Sequence, residues 1–155
     1  MAGLHLGELS ITSPAFEHGG PILDRYTVNG EDVSPELNWT DVPDGTRQFA
    51  LICHDPDAPL TDGFTHWVVC GIPGDATGIP EGGGGAFLEG VNDFGKQGYG
   101  GPAPPPGHGT HFYYFHLYAL TGEVEAQPGI SRAELLAKID PLISVQARIV
   151  GTYSR

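Results

Sequence analysis

Five side chains carry the chemistry of this chain: Asp55 and Asp57, which flank Pro56 in Asp55-Pro56-Asp57-Ala58-Pro59, His66 and His111 at the starts of apolar runs, and Tyr113 two residues past the second histidine. Proline fixes its own φ near about −65° and confines the residue before it to extended geometry, so both carboxylates are aimed. A carboxylate bonded to one imidazole nitrogen fixes the tautomer, favours the protonated ring and leaves the other N–H free for a ligand. A charged imidazole donates a bond roughly twice as strong as a neutral one. Such a set suits capture of an anion, with the Tyr113 hydroxyl and loop N–H groups as further donors. The plainer alternative for Asp55 and Asp57 is an Asx turn that closes a strand. The company of two imidazoles and a phenol at other strand ends favours a shared mouth.

The same residues also compose a small hydrolase, with His66 or His111 as general base and an aspartate to orient it. Against that, Gly-x-Ser-x-Gly is absent, and strand alternation puts Cys53 and His54 on opposite faces. Non-catalytic binding is therefore preferred, and no residue is given a catalytic role. His54, Asp55, His66, His108 and His111 are of types that zinc accepts, but they form neither His-x-His nor a helical i, i+4 pair. Neither metal nor cofactor is expected. Residues 81–85, one Glu and four Gly, lack the Gly-Lys-Ser/Thr of a phosphate loop and read as a flexible connector.

The elements that must position these groups are strands. Residues 48–54 and 66–72 are continuous apolar runs of β character, as expected for strands covered on both faces. Residues 6–12 and 112–120 read as further strands. From His111 onward alternation puts His111, Tyr113, Phe115 and Leu117 on one face, and Phe112, Tyr114, His116 and Tyr118 on the other. Before that strand, residues 101–109 hold four prolines flanked by glycines, a stiff, donor-poor loop suited to walling a pocket. Ser131 with Glu134 three residues later forms a capping box, and Ile130 is placed to staple onto Leu135, so a helix is expected over 131–139. Pro141 ends it, and 142–153 reads equally as a further helical turn or a last strand.

The chain has 155 residues, enough for one domain (1–155) with one core. Its 24 glycines and 14 prolines are scattered between apolar runs, the pattern of a turn-rich β fold. No window of 18 apolar residues is present, so no membrane span is expected. Seven basic against nineteen acidic residues give a net charge of −12, which repels nucleic acid and anionic lipid at long range. Any bound anion must be held by a local cluster of donors. The first nine residues lack basic and apolar secretory regions, and Cys53 and Cys70 lack disulfide-scaffold or zinc spacing, so a cytoplasmic protein with buried free thiols is expected, a bridge between the two staying open. Trp39 and Trp67 are expected in the core.

Taken together, Ser34-Pro35-Glu36-Leu37-Asn38-Trp39, residues 55–59, His66-Trp67-Val68-Val69, Asn92-Asp93-Phe94-Gly95 and residues 101–113 resemble, in order and spacing, the phosphatidylethanolamine-binding protein family, in its bacterial and archaeal Raf-kinase-inhibitor-like branch. The resemblance spans nearly the whole chain. It implies a mainly β fold, an antiparallel two-sheet sandwich with one or two short helices, and a pocket for phosphate or phosphorylated small molecules. It puts Asp55, Asp57, Ala58, Phe64, His66, Gly101, Pro104, Pro105, His111 and Tyr113 around that pocket. It also implies a protein partner, such as an inhibited kinase or protease, and a homodimer formed through an apolar edge. Phe112 departs from the arginine that many members have there, and the C-terminal helix that closes the pocket in animal members is expected to be absent or replaced, with only 142–155 available for it.

Overall fold

The computed structural model of the chain describes residues 7–155. Its strands are β1 (Ser10–Thr12), β2 (Leu37–Thr40), β3 (Gln48–Asp55), β4 (Phe64–Pro73), β5 (Gly78–Ile79), β6 (Leu88–Glu89), β7 (His111–Leu120) and β8 (Ile143–Tyr153), and a helix, α1 (Arg132–Ile139), precedes the last. They form a three-stranded sheet, β1-β2-β5, and a five-stranded sheet, β6-β4-β3-β7-β8. Every pairing between these strands is antiparallel.

β3 is a central strand buried on both faces, which is why its sequence is apolar without alternation. Phe49, Leu51 and Cys53 enter the core between the sheets, where they meet Ile11, Leu37, Trp39 and Ile79 of the smaller sheet. Ala50 and Ile52 point the other way, into a second apolar cluster with Leu135 and Ile139 of α1. Cys53 and Cys70 are free and buried, one in each cluster. Trp39 and Trp67 are both core residues.

Ser131 caps α1 by accepting the Glu134 N–H at 3.1 Å, while the Glu134 carboxylate accepts the Ser131 N–H at 3.2 Å. The helix proper therefore begins at Arg132, one residue later than the span expected from sequence, with Ser131 as its cap. Ile130 and Leu135 share the outer cluster, as the staple requires. The segment 142–153, ambiguous in sequence, is strand β8: Val145 and Ile149 face the core while Ser144, Gln146 and Arg148 are exposed. The strand expected over 6–12 is only Ser10–Thr12, and Leu6 lies outside the described residues. Residues 81–85 are not a loose connector. Glu81 accepts two bonds from Arg25 and one from Tyr26, and a 3-10 turn follows at Gly84–Ala86. No helix among the described residues is long and apolar enough to cross a membrane.

Leu135 is fully buried and joins α1 to the sheet. Leu135→Ala is expected to lower unfolding free energy by about 2–5 kcal/mol, and Leu136→Ala, only half-buried, by clearly less. Urea denaturation followed by circular dichroism measures both, and equal losses would contradict this packing.

Candidate functional site

Antiparallel pairing brings the end of β3 beside the beginnings of both its neighbours. Asp55 lies opposite Phe64 on β4, and His54 lies opposite Tyr114 on β7. Residues from three distant stretches thus meet at one edge of the larger sheet, where a register shift between Cys53 and His54 leaves His66 as an extra residue between the paired Thr65 and Trp67.

The centre of this meeting is a buried pair. The Asp55 Oδ2 accepts from His111 Nδ1–H at 2.7 Å, and both side chains are almost inaccessible, at 3% and 2%. The other Asp55 oxygen accepts the Asp57 N–H at 2.7 Å, an Asx turn, so each carboxylate oxygen has a partner. Both earlier readings of Asp55, turn closer and imidazole orienter, are thus realised in one side chain. The second nitrogen of His111 is engaged too, 2.6 Å from Nδ1 of His108 on the loop.

His66 is held differently. Its Nδ1–H donates to the Gly100 carbonyl at 2.6 Å, not to a carboxylate, and its ring packs edge-on against Tyr113 at 5.2 Å. Burial pushes the His66 pKa below its ordinary value, and the Gly100 bond and the Asp55 charge oppose this only in part. The neutral ring therefore presents a lone pair at Nε2. The Tyr113 hydroxyl is raised far above its usual range, first by burial and next by Asp55, so it remains an O–H donor. Among the described residues, neither His66 Nε2 nor the Tyr113 hydroxyl makes a protein hydrogen bond.

A cavity of about 240 Å³ opens on these groups. Asp55, Ala58, Phe64, His66, Pro104, Pro105, His111 and Tyr113 all line it, so eight of the ten sequence-derived positions are brought together. Two are not. Asp57 points away and accepts the Phe112 N–H at 3.0 Å, tying the Asp-Pro turn to β7. Gly101 stands behind the wall, where its N–H donates to Asp32 at 2.7 Å and a Cβ would collide with the Tyr26 carbonyl. Sequence reasoning missed Pro59, Leu60, Phe94 and Ala103 in the lining. Phe94 had a local signal: Asn92 accepts the N–H groups of Phe94 and Lys96, a tight turn that sets the Phe94 ring 4.7 Å from Phe64. The role of Arg155 had none. Its Nε donates to the Pro104 carbonyl at 2.8 Å and its own carbonyl accepts the Gly107 N–H, so the tail braces the proline loop.

A two-sheet β-sandwich with an Asp, two His and a Tyr around a proline-walled cavity defines a class of small ligand-binding proteins. The family model for phosphatidylethanolamine-binding protein matches residues 12–154, and the chain belongs to that family. It is similar to a UPF0098 protein of Aquifex aeolicus, 44% identical over 95% of this chain and 89% of the relative. A UPF0098 protein of the archaeon Methanothermobacter thermautotrophicus is 40% identical over 95% and 99%. Among solved structures, E. coli YbcL, described as a new member of the mammalian PEBP family, superposes with a TM-score of 0.90 at 31% identity, covering 96% of this chain and 99% of that one.

Three histidines, His54, His66 and His116, have pKa values lowered chiefly by burial, His116 to about 4. The unfolded chain, with histidines near about 6.5, takes up protons that the folded state refuses. Stability is thus complete above about pH 6.5 and falls as pH drops toward about 4, with His116 accounting for at most about 3 kcal/mol. Urea midpoints measured across that range in buffers free of binding anions should decline, and His116→Gln should decline less. Parallel slopes for the two proteins would refute the assignment.

Proposed function

We propose that the cavity binds a small anion or a phosphorylated ligand without turning it over. The observation that carries this is the pair of unpartnered buried polar groups, His66 Nε2 and Tyr113 O–H, at the wall of an otherwise apolar cavity. Buried polar atoms ordinarily have partners, so these two imply a ligand or ordered water. Protonation converts His66 Nε2 from acceptor to donor, and an oxyanion in the cavity favours that charged form. Asp55, with its oxygens engaged by His111 and Asp57, is turned to orientation more than to repulsion of the guest.

Hydrolysis is less well supported. Among the described residues no Ser, Thr or Cys lines the cavity, and the second nitrogen of His111 faces another imidazole, not a hydroxyl or thiol. The names of the family and of its similar relatives are not enzyme names. A regulatory role toward a protein partner, such as a kinase or protease, fits the rim: Leu60 and Phe94 at the mouth are large apolar side chains left 58% and 41% exposed. Free thiols at Cys53 and Cys70 suit a reducing, cytoplasmic setting.

Sulfate is the discriminating probe, because it does not titrate near neutral pH. Calorimetry should show affinity rising as pH falls from about 8.5 to 5.5, with uptake of up to one proton as the bound anion raises the His66 pKa. Tyr113→Phe and His66→Ala should each weaken binding by about tenfold. Flat affinity over that range, or turnover of p-nitrophenyl phosphate or acetate that vanishes in His111→Ala, overturns the proposal.

A further inference from the structure

The face of the larger sheet turned away from the smaller one is only partly covered. Helix α1 seals the part around Ala50, Ile52, Tyr118 and Leu120, and its first residue, Arg132, stands at the limit of that cluster. There a groove of about 300 Å³ is lined by His54, Tyr114, His116, Arg132 and Arg148, with Pro56 at its edge. It lies on the opposite face of β3 and β7 from the cavity already described, since His54 and Asp55, like Tyr113 and Tyr114, point to opposite sides.

The chain has only five arginines, at 25, 47, 132, 148 and 155. Arg25 and Arg47 pair with glutamates, and Arg155 bonds to Pro104 and Asn29. Among the described residues, Arg132 and Arg148 have neither an ion pair nor a hydrogen bond, and these two share the groove. Placing unpaired like charges together is unfavourable, more so because Arg132 opens α1, where the helix dipole is positive. In a chain with nineteen acidic residues, counterions for both were readily available.

The floor is built as well. Arg148 stacks over the Tyr114 ring at 5.4 Å, and Tyr114 lies parallel to His116, with centroids 5.7 Å apart. His116 is half-buried and has no protein hydrogen bond among the described residues. Every charged or titratable group acting on it, Arg148, Arg132 and His54, disfavours its protonation. Asp93 and Asp55 act on His54 but not on His116, and Tyr118 flanks the ring at 6.2 Å.

We propose that this groove is a second ligand site, which takes a small soluble dianionic oxyanion of the phosphoryl type between Arg132 and Arg148, with His116 beneath as a hydrogen-bond partner. Planar guanidinium groups match such an anion in geometry and charge. The net charge of −12 repels an anionic membrane or nucleic acid, so a small anion is the occupant that the local cluster can win. The site does not depend on the function proposed for the first cavity.

Imidazole signals in NMR spectra, assigned with His54→Gln and His116→Gln, read the two sites separately. Inorganic phosphate should shift the His54 and His116 signals saturably, and the titration midpoint of His116 should move up from about 4, since a bound anion favours the charged ring. In an Arg132→Gln/Arg148→Gln double variant, affinity read at His116 should fall by about tenfold or more. The response of His66 to phosphate should be the same in both proteins, whatever its size. Arg148 is exposed and Arg132 half-buried, and an unchanged thermal midpoint and amide spectrum will establish that the variant is folded. Sodium chloride at matched ionic strength reproducing the shifts, or a double variant that responds like the parent, overturns the site.

Discussion

The first cavity depends on one buried carboxylate. Asp55 is a nearly inaccessible carboxyl group, and removing a carboxylate from water costs several kcal/mol unless hydrogen bonds compensate it. Each oxygen accepts one bond, from His111 Nδ1–H and from the Asp57 N–H. Each bond also fixes geometry: one sets the tautomer and plane of an imidazole on β7, and the other folds the Asp-Pro turn back over the end of β3. Losing either partner leaves a buried charge short of a donor, so turn, strand end and imidazole stand or fall together.

The walls obey a second constraint, which is that a stiff loop must still be held somewhere. Four prolines between 102 and 106 reduce the entropy of ordering and also remove the N–H groups by which a loop is usually pinned. Carbonyls and the ends of the loop do the pinning here. Pro104 accepts from Arg155, the Gly107 N–H reaches the Arg155 carbonyl, and the Gly101 N–H reaches Asp32. All three partners lie more than 45 residues away in sequence, so no local pattern advertised them.

Legibility followed the range of the signal. The alternation from His111 to Tyr118 set the faces of β7 correctly, and the Ser131-Glu134 box located α1 to within a residue, because both patterns are local and carried by side chains. Strands β2, β5 and β6 were not read from periodicity, since runs of four, two and two residues hold too little pattern. β8 did carry alternation, with Val145, Ala147 and Ile149 against Ser144, Gln146 and Arg148, but Pro141 and the adjoining helix hid it. Of the site residues, those at strand ends were legible. The direction of Asp57 was not legible, because a carboxylate in a turn looks alike in sequence whether it faces a cavity or a backbone N–H, and the Phe112 bond shows the latter.

The same alternation explains how one sheet presents two unlike surfaces. Along β7, His111 and Tyr113 face the enclosed cavity, and one residue on, Tyr114 and His116 face the outer groove. On β3, Asp55 and His54 divide in the same way. The carboxylate goes to the enclosed side, where each oxygen accepts a bond, and the outer side receives two arginines with His54 and His116, both pushed toward the neutral form. A chain whose overall field is negative can offer positive potential only over distances shorter than about a Debye length. Strand periodicity meets that requirement, since it segregates charge over the thickness of a single sheet.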